Sequence, residues 1–199
     1  MPDQITAKAS DVKFLPHPDG QYVAQCVDAI DLGEKVEDYP GTPEKLAHKC
    51  ALVFRTGEKN PETHEFIDIA QEFTVSMGEK ANLRKALESW RGKPYGEAQL
   101  TEGVPIHKLA GNWALLTIAQ KQSGKGRTYA FIQSIVGVPT AMRQALPQFP
   151  AYVRADYWQT RKDDYVKAAS AFRTKYAAPP SDRDEFPGAL DDEADDLPF

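Results

Sequence analysis

The sequence predicts an all-β fold with one minor helix: a five-stranded barrel in the order β-β-β-α-β-β. Three observations carry this. Runs of β-forming residues with near period-2 alternation recur between glycine stops, a single amphipathic helical stretch interrupts them after the third run, and the composition turns acidic and proline-containing near residue 177. The predicted organisation is an irregular lead-in over 1–18, a barrel over 19–140, an extension with a helix over 141–176 and a disordered acidic tail over 177–199.

The lead-in ends at Pro16-His17-Pro18. Gln21 to Leu32, closed by Gly33, reads as the first strand, and Lys45 to Thr56, stopped by Gly57, as the second. Glu65 to Met77 reads as a long third strand with a bulge at Gln71-Glu72, where the alternation slips. Asn82 is then expected to cap a helix whose Leu83, Leu87 and Trp90 fall on one stripe, with Gly92 and Pro94 ending it. A polar connection through Thr101-Glu102-Gly103 leads to a fourth strand, Trp113 to Lys121, and a fifth, Arg127 to Val138. The short link Gln122-Ser123-Gly124-Lys125-Gly126 makes these two a hairpin. This order is that of an OB-fold, whose helix plugs one end of a partly open barrel; a generic α+β domain shares it. Beyond Pro147 and Pro150, Lys162 to Tyr176 spaces Tyr165, Ala169, Phe172 and Tyr176 as a helix does.

Charge is unevenly distributed. Residues 177–199 hold eight acids against the single base Arg183, so within a chain of net −5 the preceding 176 residues carry a balance of +2. An acidic tail on a mildly basic body suits a nucleic-acid binder. Cys26 and Cys50 sit in alternating apolar runs and read as reduced, buried thiols, and His17, His48, His64 and His107 have no ligand spacing, so no metal and no cofactor is assigned. No apolar stretch reaches the roughly 18–20 residues of a membrane span, and the N-terminus lacks a signal pattern, which predicts a cytoplasmic protein with no membrane partner.

Catalytic motifs are missing. Ser123-Gly124-Lys125-Gly126 is not a phosphate-binding Walker loop, and neither Gly-x-Ser-x-Gly nor His-Glu-x-x-His occurs. The tail carboxylates imitate a metal-dependent nuclease cluster, but a flexible terminus does not hold ligands rigidly. The expectation is therefore a binding protein and not an enzyme.

The fifth strand carries the more informative pattern. Lys121, Lys125 and Arg127 cluster at the hairpin tip, and Arg127, Tyr129, Phe131 and Gln133 share one face, opposite Thr128, Ala130, Ile132 and Ser134. Cations follow phosphates, and ring faces stack bases at roughly 1–3 kcal/mol each. Lys49 and Arg55 on the second strand, Phe66 on the third and Trp113 on the fourth are assigned to the same outer surface, because OB-folds bind on the face of strands two and three. Each ring could instead be a core residue.

Phe73-Thr74-Val75-Ser76-Met77, Ala81-Asn82-Leu83-Arg84, Trp90-Arg91-Gly92-Lys93-Pro94, Leu115-Leu116-Thr117-Ile118 and Tyr129-Ala130-Phe131-Ile132 together resemble the barrel of phage OB-fold single-stranded-DNA-binding proteins, over residues 20–140. The ending Asp195-Asp196-Leu197-Pro198-Phe199 resembles the acidic tip of bacterial single-stranded-DNA-binding proteins, with Leu197 where isoleucine is usual. The resemblance implies coating of single-stranded DNA in phage replication, recombination and repair, inside the bacterial host. It also implies that Asp195, Asp196, Leu197, Pro198 and Phe199 recruit polymerase, helicase or host factors. The barrel is not close to the bacterial one, so tetrameric assembly is not implied and a homo-oligomer stays open. The tail's carboxylates can occupy the protein's own basic groove until DNA displaces them, since a flexible 23-residue chain spans roughly 25 Å. Two other readings share these residues: an RNA-binding OB protein, and an interaction adaptor or DNA mimic that binds no nucleic acid.

Overall fold

The computed structural model describes residues 15–177. Most of the lead-in and the acidic tail from residue 178, including Asp195, Asp196, Leu197, Pro198 and Phe199, lie outside the described residues.

The chain is mostly β. Five strands, β1 (Gly20–Glu37), β2 (Lys45–Arg55), β3 (Ile69–Thr74), β4 (Trp113–Gln122) and β5 (Thr128–Gly137), form one sheet in the order β3-β2-β1-β4-β5, with every neighbouring pair antiparallel. Pairing of this kind makes the two edge strands, β3 and β5, run in the same direction. They approach one another, but no ladder joins them, and the sheet is not closed. Helix α1 (Asn82–Arg91) packs against both edges along this seam.

β1 is shared between two neighbours. Its first six residues pair with β4, and from Gln25 onward it pairs with β2. Register shifts at Cys26/Asp28 and Asp31/Gly33 change which face its side chains occupy. Ala24 and Cys26 accordingly enter the core shared with α1, whereas Ile30 and Leu32 enter a second core on the opposite face. Gly33 is thus not the expected stop. Its φ of +75° supplies the left-handed residue of an irregular pairing, its N–H donates to Asp31 Oδ1 at 2.9 Å, and the strand runs on to Glu37.

Further boundaries differ from expectation. β3 begins at Ile69, so Phe66 lies before it at an isolated bridge to Lys59, and Gln71 and Glu72 pair with Leu52 and Ala51 in unbroken register without a bulge. The apolar alternation breaks in the sequence because Gln71, at interior parity, faces the polar cleft at the seam beside Lys85 and Gln133. The real β5 irregularity falls at Gln133, which pairs with nothing between Ile132↔Ile118 and Ser134↔Thr117, and it moves Ser134 to the outer row beside Thr117. Asn82 is the first helical residue of α1 rather than its cap; Ala81 precedes it with no side-chain cap bond. Leu83, Leu87 and Trp90 are the buried stripe, and Gly92 closes the helix in the left-handed region, its N–H donating to Glu88 O at 2.9 Å. The polar connection holds a short α2 (Glu97–Glu102) and a 3-10 turn at Ile106–Leu109.

The last helix, α3 (Asp156–Tyr176), starts six residues before Lys162 and lies across β1. Only its Trp158 and Ala169 are buried. Trp158 joins Ile30, Leu32, Ala51 and Val53 in the second core. Ion pairs hold the rest: Arg154, just before the helix, grips Asp28 through two bonds at 2.7 and 2.8 Å, and within it Arg161 pairs with Glu72, Arg173 with Glu34, and Lys175 with Glu44 at 2.9 Å.

Candidate nucleic-acid interface

The β4–β5 hairpin turns through Ser123, whose N–H donates to Arg127 O at 2.8 Å, and Gly126, whose φ of +74° the tight return requires. Across the ladder Tyr129 faces Lys121, and Phe131 faces Ala119, a neighbour too small to cover a ring. Tyr129 and Phe131 stay 40% and 36% exposed, their ring centroids 6.4 Å apart. Lys121, Lys125 and Arg127 are exposed, and none forms an ion pair among the described residues. These five sequence-derived residues therefore lie on one hairpin, with two open rings beside unneutralised cations. Chemically, that arrangement can stack bases and hold phosphates.

The cations of β2 are placed differently. Their parity is the expected one, since Cys50, Leu52 and Phe54 fill the core shared with α1, but the opposite face is not open. There Ala51 and Val53 are covered by Trp158. Lys49 donates to Glu37 and, at 2.7 Å, to Thr74 Oγ1, and is only 12% exposed. The Lys49 ammonium holds the Glu37 carboxyl below the usual glutamate range, against the opposing effect of burial. Arg55, 7% exposed, grips Asp68 with Nε at 2.8 Å and a terminal nitrogen at 2.7 Å; this bond raises its pKa further. Its guanidinium also lies 4.4 Å from the Phe66 ring centroid and 5.5 Å from that of Tyr152. Both cations are thus neutralised by carboxylates of their own chain. The sequence could not reveal this, because nothing in strand alternation says which face a later segment will cover.

Phe66 and Trp113 meet through a ring that sequence reasoning missed. Phe149 lies 5.8 Å from Phe66, edge-on, and 5.6 Å from Trp113, tilted by 33°. It also presses on Gly57, where an added Cβ would stand 3.3 Å from it. Lys59, likewise missed, places its ammonium 4.8 Å from the Phe66 centroid. Phe149 sits in Leu146-Pro147-Gln148-Phe149-Pro150, which has no periodicity; a lone ring flanked by prolines was the only available signal. Trp113 heads the outward row of β4 that ends at Lys121, eight residues and about 27 Å away at 3.4 Å per residue.

Burial raises the thiols of Cys26 and Cys50 to about 12 and about 11, so both are protonated at neutral pH. Among the described residues no three His, Cys, Asp or Glu side chains gather as a metal site, and no helix is long and apolar enough to cross a membrane. No protein-family model matches the chain, and no curated protein matches it.

Proposed function

We propose that this protein binds single-stranded DNA without sequence preference, on an OB-type barrel, and protects exposed strands during DNA replication, recombination and repair. The observation that carries the reading is the pair of open rings, Tyr129 and Phe131, beside the exposed cations Lys121, Lys125 and Arg127, which form no ion pair among the described residues, on one hairpin. Support for the OB-type barrel comes from β1 shared between β2 and β4, and from a helix between β3 and β4 that packs along the β3–β5 seam. The groove has cations and ring faces but no fixed set of amides to read base edges, hence the lack of sequence preference. The eight acids after residue 176 supply an internal competitor for the cationic surface, and the Asp195–Phe199 tip supplies a hook for replication partners.

A fluorescence titration with single- and double-stranded oligonucleotides at two salt concentrations tests this. Single strands should bind preferentially, with affinity falling steeply as salt rises. Preference for poly(U) over poly(dT) would turn the reading toward RNA, and no binding at low salt would favour an adaptor.

A further inference from the structure

The clefts on the two sides of the sheet differ in charge. Those along β2 and β3 carry carboxylates among their cations, Glu37, Glu72 and Glu79 with Lys49 and Lys80 in one and Asp68 and Glu72 with Arg161 in the other. The cleft of about 440 Å³ where the C-terminal end of α1 meets the ends of β4 and β5 has none; its charged lining is Arg91 and Arg143. Arg91 gives one N–H to the neutral Gln99 Oε1 at 3.2 Å, and Arg143 gives its Nε–H to Val138 O at 3.1 Å. Neither forms an ion pair among the described residues, so most of each five-donor fork is free. The walls are aromatic. Tyr95, with the Arg91 guanidinium 4.3 Å from its centroid, forms one, and Trp113, backed by Phe149, forms another, over an apolar floor that includes Leu87 and Val138.

We propose that this cleft is a nucleotide subsite, taking one base of the bound strand against Tyr95 and Trp113 and the adjoining phosphate on Arg91 and Arg143. An uncharged apolar guest would offer no acceptor to the remaining donors of either guanidinium fork. A duplex cannot deliver a base into a cleft unless the base is flipped out of its stack. The subsite rests on the single-strand reading of the β5 face and extends it. A strand entering at the hairpin tip follows the outward row of β4, about 27 Å from Lys121 to Trp113, and ends here.

The test uses the full chain and oligothymidylate of 16 nucleotides carrying 5-iodouracil. In the wild type, photo-crosslinks should map to Tyr95 or Trp113 as well as to the hairpin. The double variant Arg91→Gln/Arg143→Gln should bind at least about tenfold more weakly, with its log–log salt slope reduced in magnitude by about 1.4, at about 0.7 per lost cation. Arg143→Gln alone, at an exposed position, should lose about half of that slope change and guards against misfolding of the double variant. Crosslinks confined to Tyr129 and Phe131, with affinity and slope unchanged in the variants, would overturn the subsite and leave single-strand binding standing. A wild-type chain that binds no oligonucleotide would overturn both.

Discussion

Arg55→Ala separates a structural arginine from a DNA contact. Its side chain is 9% exposed and that of its partner Asp68 19%, joined by charge-assisted bonds at 2.8 and 2.7 Å. Removing one member of a buried pair leaves the other desolvated and uncompensated, at about 3–5 kcal/mol. The partial exposure of Asp68 argues for the lower end, about 3 kcal/mol, and loss of the cation over Phe66 adds about 0.5–1 kcal/mol. With a urea m-value of about 2 kcal/mol/M, the midpoint should fall by about 1.8–2 M. Urea titration followed by tryptophan emission reads this directly, because Trp158 lies in the core against which Tyr152 packs, and the Arg55 guanidinium lies 5.5 Å from the Tyr152 ring centroid. Arg55→Met combined with Asp68→Leu should recover most of the loss. A midpoint within about 0.3 M of wild type, together with a tenfold loss of oligonucleotide affinity, would refute the reasoning and return Arg55 to the DNA surface.

Gly137→Ala sets a methyl group 2.8 Å from the Trp90 carbonyl oxygen, a backbone atom that cannot swing aside, and should lower Tm by roughly 4–8 °C for an overpacking cost of about 2 kcal/mol; an unchanged Tm contradicts the α1–β5 packing. The depressed Glu37 carboxyl contributes stability that is complete above the ordinary glutamate pKa, about 4.3, and is lost as pH falls through its lower folded value. Glu37→Gln should therefore be less stable than wild type at pH 7 and show a flatter stability curve between about pH 5 and 3 by denaturant titration. Deleting residues 191–199 removes five acids and Phe199, and should tighten oligonucleotide binding, most at low salt. Phe199→Ala should keep that electrostatic competition while abolishing capture of replication partners in pull-down; weaker DNA binding after the deletion contradicts the tail's role.

What could be read from the sequence was local. Alternation identified Cys50, Leu52 and Phe54 as interior, the i, i+4, i+7 stripe identified Leu83, Leu87 and Trp90, and the glycine-containing link identified the β4–β5 hairpin with its exposed rings. Non-local packing was not legible. Lys49 and Arg55 share a parity with Ala51 and Val53, and only the tertiary structure shows that Trp158 of α3 covers the two apolar residues while Glu37 and Asp68 hold the two cations. Gly33 carries the same letter whether it ends a strand or sits in an irregular pairing, and the difference lies in its Asp31 bond and in the residues of β2 opposite it. Phe149 and Arg143 lie in a segment without period, so their meeting with Trp113 depends on tertiary structure alone.

The central claim is that the rings of β5 stack bases, and the double variant Tyr129→Ala/Phe131→Ala measures it most directly. Both rings are more than a third exposed, so their removal should leave Tm within about 3 °C of wild type. Each lost platform should weaken oligothymidylate binding by about 1–3 kcal/mol, roughly 5- to 150-fold in Kd, while the salt slope, set by Lys121, Lys125 and Arg127, stays unchanged. An affinity equal to that of the wild type, measured on a variant that folds normally, would contradict the account.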